Sequence, residues 1–343
     1  MTHYNLQSDG ETIHEYLIDN KFFSIYSNAR LTKMYKNNKS IDTYKINCTF
    51  KCKREYISKN NYCHNIVNNI FKDKELELEF DKNGFVIVDF IGKDEIEFLE
   101  KKYYEIHKKN NRGFYATTFL SDLDYRKRVD EIVSSIHNPA LEKHFENHKN
   151  FLGSFVTKNN EPKSELGLHQ DLTLVDEDKF VPINVWCPLI DITESNGALR
   201  LLKGSHRFPR TYRAPTIPFA YQEHVKFLEP YMTPMYVKAG QAVICSQSTL
   251  HDSVPNVSNN FRIVSQTFVS HKDAQFQVVF RDKKKPKQLE IYEENTDLLK
   301  NFQQFMDGIY ERPKIGRLSK TIPFDNWQPS KREMRNLVEE YCL

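Results

Sequence analysis

Two short stretches hold the side chains with the clearest chemistry. In Leu168-His169-Gln170-Asp171 an imidazole and a carboxylate stand two positions apart. In an extended chain such positions face the same way, so both can meet one ion. A second histidine stands in Leu250-His251-Asp252-Ser253, just after a strand-like run. Two histidines and one carboxylate form the set that holds a non-haem iron by one face and leaves its other positions open, which an oxygenase requires. Arg262 follows eleven residues after His251, where its guanidinium can grip a carboxylate through two hydrogen bonds. Taken alone, His169 and Asp171 read better as a surface loop or a satisfied hydrogen-bonded pair than as metal ligands. The metal reading rests on the whole set.

Such a set needs strands to position it. From residue 151 the chain is a series of β-branched and aromatic runs separated by turn residues: Phe151 to Val156, Val181 to Cys187, Ala198 to Leu202, Met235 to Lys238, Gln241 to Cys245, Phe261 to Val269 and Phe276 to Arg281. This is the pattern of a sandwich or barrel. Asn196-Gly197, between two of the runs, predicts a hairpin with a type I′ turn. Upstream, Gly84 to Phe90 reads as a strand. Ile96, Leu99, Tyr103 and Ile106 then share one helical face, and Tyr125, Val129, Ile132, Val133 and Ile136 a second, in a helix ending before Pro139. Leu298, Phe302, Phe305, Met306 and Ile309, then Ser330 to Tyr341, predict a helical C-terminal part. The expected class is α+β: an N-terminal extension over 1–80, a double-sheet core with buttressing helices over 81–285, and a helical segment packed on it over 286–343.

The same residues resemble a known family, the phytanoyl-CoA dioxygenase-like (PhyH) branch of the iron(II)- and 2-oxoglutarate-dependent oxygenases. The likeness runs from about Phe85 to Phe268. It comprises His169 and Asp171, Trp186 on the following strand, Asn196-Gly197-Ala198-Leu199 leading to Gly204-Ser205-His206, Gly240 before a strand, then His251-Asp252-Ser253 and Arg262. The resemblance implies a double-stranded β-helix, a jelly-roll form. It also implies that His169, Asp171 and His251 bind Fe(II), that Arg262 binds the far carboxylate of 2-oxoglutarate with help from Ser253, and that Trp186 lines the pocket. Asn184, two residues before Trp186 on the same strand face, is a further pocket candidate. The implied cosubstrates are 2-oxoglutarate and dioxygen, and the implied reaction is hydroxylation of a C–H bond with release of succinate. Related halogenases replace the carboxylate ligand with a small residue, whereas Asp171 is present, which favours hydroxylation; desaturation or ring closure stays open.

Composition narrows the partners. The 343 residues carry 49 Lys+Arg against 46 Asp+Glu, a net charge of +3, so nothing draws the chain generally to nucleic acid or an anionic membrane. No run approaches a membrane span, and neither chain end carries a recognisable address, so a cytoplasmic protein is expected. Six Cys are too few for a disulfide scaffold. Cys48, Cys52, Cys63 and His64 have zinc-binding atoms at an unusual spacing, and buried thiols are the plainer reading. Arg200, Lys203, His206, Arg207, Arg210 and Arg213 crowd the expected pocket rim, where they suit either an anionic or carrier-tethered small substrate or a plain solvated face. Two other readings stay open: a protein or peptide hydroxylase that docks through residues 1–80, and a non-catalytic jelly-roll binding protein. Either a monomer or a homodimer is compatible with the sequence.

Overall fold

The computed structural model describes residues 70–107, 113–294, 299, 311–314 and 316–343, and the backbone of three strands at 2–8, 11–18 and 21–27. By its internal contacts the chain divides into Met1–Ser58 and Lys59–Leu343. In the first unit β1 (Thr2–Ser8), β2 (Glu11–Ile18) and β3 (Lys21–Ser27) form an antiparallel meander. Cys48, Cys52, Cys63 and His64 lie outside the described residues, as does the expected helical face of Leu298, Phe302, Phe305, Met306 and Ile309.

The second unit opens with α1 (Lys74–Asn83), whose first amides are capped by the Asp73 carboxylate. There follow β4 (Phe85–Asp89), α2 (Lys93–Ile106), β5 (Phe114–Ala116) and α3 (Leu123–His144). Eight strands then come in succession: β6 (His148–Lys158), β7 (Leu166–His169), β8 (Ile183–Pro188), β9 (Leu199–Leu201), β10 (Thr233–Pro234), β11 (Gln241–Ser246), β12 (His251–Ser253) and β13 (Arg262–His271). A short helix, α4 (Val225–Leu228), lies between β9 and β10. Two sheets result, ordered β4-β11-β8-β13-β6-β5 and β10-β9-β12-β7, and all their pairings are antiparallel. Apart from the β9 to β10 step, each strand from β6 to β13 is followed by one in the other sheet. That alternation is the winding of a double-stranded β-helix.

Alternating side chains supply both cores. Val156, Trp186, Val243 and Val264 point inward and meet Leu199 and Leu201 of the smaller sheet. Their neighbours Phe155 and Ile263 point outward and are covered by Leu99 and Tyr103 of α2 and Val129 and Val133 of α3. Both sheet faces are therefore dry, which fixes register, because a slip of one residue would exchange the two sets.

Four expectations change. Helix α3 runs through Pro139 to His144. Proline removes one backbone hydrogen bond, but Ala140 and Leu141 beyond it are buried against the sheet, and that packing carries the helix on. Only Thr233 and Pro234 pair with β9, and Met235 to Lys238 lies outside any strand, although Met235 and Val237 are buried as a strand's residues would be. β8 and β9 lie in different sheets, so Asn196-Gly197 makes no hairpin. Within the segment expected to be helical, β15 (Gln288–Glu294) pairs with β14 (Phe276–Phe280) on one side and β16 (Arg317–Pro323) on the other. Leu289 and Ile291 are both fully buried, a period-two pattern inside a charged stretch.

The chain closes with α5 (Lys331–Tyr341), whose Met334 and Val338 are buried among Leu202, Tyr221 and Leu250. Gly204 makes this docking possible. Its φ is +77°, and a Cβ there would sit 1.9 Å from the Tyr341 carbonyl oxygen. Gly204→Ala is expected to lower stability by about 2 kcal/mol or more, through strain and a displaced α5. A denaturant midpoint equal to wild type would contradict this.

Candidate active site

The two histidines face each other across neighbouring strands. His251 of β12 is the register partner of His169 of β7, and their ring centroids are 4.2 Å apart. Each ring is anchored by the same device: Nδ1 of His169 lies 2.8 Å from the Gly167 carbonyl, and Nδ1 of His251 lies 2.9 Å from the Thr249 carbonyl. A carbonyl only accepts, so each Nδ1 carries the proton and each Nε2 keeps a lone pair for an ion. Burial, and then the neighbouring His251 ring, push the His169 pKa down to about 4, which keeps that ring neutral as a ligand must be.

Asp171 lies just past the end of β7, so its position comes from hydrogen bonds and not from strand alternation. Its amide donates to the Gln247 carbonyl (3.0 Å), its carbonyl accepts from Nε of Arg213, and its carboxylate Oδ2 accepts from Nδ2 of Asn184. Asn184 is held in turn by Nε2 of Gln247 at 3.2 Å. The Asp171 oxygens stand 4.0 Å from Nε2 of His169 and 3.8 Å from Nε2 of His251. The three donor atoms all lie within 4.8 Å of one another, the only such cluster among the described residues. Two neutral imidazoles and one carboxylate suit Fe(II). His169 and Asp171 are partly open to solvent, which gives the site its entrance.

A second feature sits farther along the inner face of the larger sheet. Arg262, the first residue of β13, is 1% exposed, and burial pushes its pKa down to about 9. Nη1 donates to the Gly197 carbonyl at 2.6 Å, the guanidinium lies 5.5 Å from the Trp186 ring, and Nε is buried without a partner. Its register partner is Lys158 of β6, which is fully buried and donates to the carbonyls of Ser253 (3.0 Å) and Val254 (2.6 Å). Burial, and then Arg262, push the Lys158 pKa down to about 6. Two adjoining buried basic groups are costly to charge together without an anion, so the pair marks a seat for one. 2-Oxoglutarate, a dianion, fits that charge. Asn196-Gly197 belongs here: Gly197, at φ +84°, offers its carbonyl to Arg262, and a Cβ on it would come within 2.8 Å of the Lys158 side chain.

Thus the predicted residues His169, Asp171, His251 and Asn184 come together at one centre. Arg262, Trp186 and Ser253 gather with Lys158 at the neighbouring seat. The rim cluster does not act as a group. Arg200 forms a two-bond pair with Asp252, Arg210 pairs with Asp178, Arg213 with Glu177, Arg207 donates to the Tyr341 carbonyl and His206 bonds the Asp81 carbonyl. Sequence reasoning missed Lys158, Gln247 and the role of Arg213. Lys158 carries a usable signal, since period two puts it on the face of Ser154 and Val156.

Known proteins resemble this chain over part of its length. A sequence model for the family described as Phytanoyl-CoA dioxygenase (PhyH) matches residues 80–264, more than half of the chain. A phytanoyl-CoA dioxygenase domain-containing protein 1 homolog from Dictyostelium discoideum is 26% identical over 153 residues, which is 42% of this chain and 51% of the relative. The chain therefore spans about half the length of that curated relative. Among solved structures, the non-heme alpha ketoglutarate dependent carbocyclase SnoK from nogalamycin biosynthesis is 15% identical with a TM-score of 0.46, covering 62% of this chain and 87% of its own. EvdO2 from Micromonospora carbonacea var. aurantiaca, complexed with 2-oxoglutarate, is 18% identical with a TM-score of 0.41, covering 58% and 91%.

Proposed function

The chain belongs to the phytanoyl-CoA dioxygenase (PhyH) family, and from that premise we propose that it is an Fe(II)- and 2-oxoglutarate-dependent dioxygenase that hydroxylates an unactivated C–H bond of a small molecule. The observation that carries the reading is the pairing of two adjacent seats. One is a three-donor cluster with both histidine Nε2 atoms uncommitted, and the other is the buried Arg262–Lys158 pair, which forms no salt bridge among the described residues. Bound there, iron and 2-oxoglutarate would supply an oxidant made from dioxygen, with succinate and CO2 released.

The chain's own groups prepare this chemistry. His169, His251 and Asp171 hold the ion from one side. The Asn184 amide and the Gln247 carbonyl fix the carboxylate that neutralises part of its charge. Arg262 and Lys158 attract the far end of the cosubstrate, while Trp186 covers the guanidinium and excludes water. Because the rim arginines are spent on Asp252, Asp178 and Glu177, the rim gives no support to a carrier-tethered or strongly anionic substrate. Among the described residues no helix is long and apolar enough to cross a membrane.

The test is an anaerobic titration with Fe(II) and 2-oxoglutarate. A visible charge-transfer band needs both partners on one ion, and it is expected in wild type and absent in His251→Ala. A wild-type protein without the band would overturn the reading.

A further inference from the structure

We propose that the buried Arg213–Glu177 pair is a positioning device for the metal-binding carboxylate. The pair clips the loop that carries Asp171 to the segment between β9 and α4, and so fixes where Asp171 stands. The inference rests on the iron-site reading above and assigns that site two further residues.

Arg213 makes more directed bonds than any other described side chain near the centre. Its Nε donates to the Asp171 carbonyl, Nη1 donates to Glu177 Oε2 at 3.0 Å and to the Thr211 carbonyl at 2.9 Å, and Nη2 donates to Glu177 Oε1. Both side chains are nearly closed to solvent, 7% and 6% exposed. The backbones are stitched as well: the Thr173 amide donates to the Arg213 carbonyl at 2.9 Å, and the Arg213 amide donates to the Thr173 hydroxyl oxygen at 3.0 Å. The Asp171 peptide is therefore gripped from two sides, its N–H by the turn that leads to His251 and its C=O by Arg213.

Such a grip matters because Asp171 has no strand pairing of its own. The two histidines take their places from the β7–β12 ladder, whereas the carboxylate hangs on a loop. The fork of an arginine can span Glu177 and the Asp171 carbonyl together, and the point charge of a lysine cannot. Glu177 balances the guanidinium charge, so the device acts through geometry and adds no repulsion toward a cation.

The probe is Co(II), titrated into the full-length protein and followed by its visible d–d absorption. Arg213→Gln, Arg213→Lys and Glu177→Gln are each expected to weaken Co(II) binding roughly 10–100-fold, the usual cost of losing an outer-shell partner, and to change the band shape. Asp178→Asn, which removes the exposed partner of Arg210, is expected to bind as wild type does. The lysine variant separates geometry from charge: a folded Arg213→Lys with wild-type affinity and band overturns the proposal. Should the Arg213 variants lose their cooperative melting, Glu177→Gln decides, and wild-type affinity there is equally fatal. If wild type binds no Co(II), or His251→Ala binds it as well, the iron-site reading itself has failed and this inference falls with it.

Discussion

Asp171→Ala is expected to leave a folded protein whose Fe(II) affinity is reduced by well over about 100-fold, beyond the cost of losing an outer-shell group. The carboxylate is the only anion in the donor set, so its removal asks two neutral rings to hold a dication alone. The fold should tolerate the change. Asp171 is partly exposed, lies outside the β7 ladder, and keeps both backbone hydrogen bonds without its side chain. The loss inside the fold is the acceptor of one Asn184 hydrogen bond, about 1 kcal/mol. Metal titration and thermal melting on the same preparation separate the effects: affinity should collapse while the melting temperature of the metal-free protein stays close to wild type. Succinate release above background in this variant would remove Asp171 from the ligand set.

How far the sequence could be read depended on which atoms do the work. The donor set was legible because its action lies in side-chain types, and because period-two runs around it announce strands. Arg262 was legible for the same reason. The outer groups were not. Arg213 and Gln247 act on Asp171 through its backbone carbonyl and amide, and Lys158 acts on the carbonyls of Ser253 and Val254. Every residue offers those groups, so no residue type marks the receiving end. Asn196-Gly197 shows the opposite hazard: the dipeptide carries a strong turn preference, but Asn196 spends its side chain on the Thr193 amide and the Asp191 carbonyl, and Gly197 faces Arg262. A local preference for positive φ was correct, and the partner it served lay 65 residues away. The same limit applies to Pro139 and to β15, where burial against distant elements overrode or completed a weak local signal.

Arg262→Met is expected to make the protein more stable and less able to bind 2-oxoglutarate, and this combination distinguishes a binding residue from a structural one. The guanidinium is buried beside Lys158, its one hydrogen bond goes to the Gly197 carbonyl, and no described carboxylate pairs with it. Keeping an unmatched charge in that position costs the empty protein stability, and a methionine of similar length removes the charge while filling the space. The gain should be about 1–2 kcal/mol without ligand. Binding should move the other way. Hydrogen bonds to a charged group contribute about 1.5–3 kcal/mol, so affinity for 2-oxoglutarate should fall roughly 10–150-fold. Melting curves with and without 2-oxoglutarate read both effects: saturating cosubstrate should raise the wild-type midpoint and leave the variant nearly unmoved. A variant that melts lower than wild type yet binds 2-oxoglutarate normally would show that Arg262 serves the fold, and that the buried Arg262–Lys158 pair is not the seat of the cosubstrate. Stability surrendered at Arg262 and recovered on binding is what a fold yields when its interior is arranged for a dianion that arrives from outside.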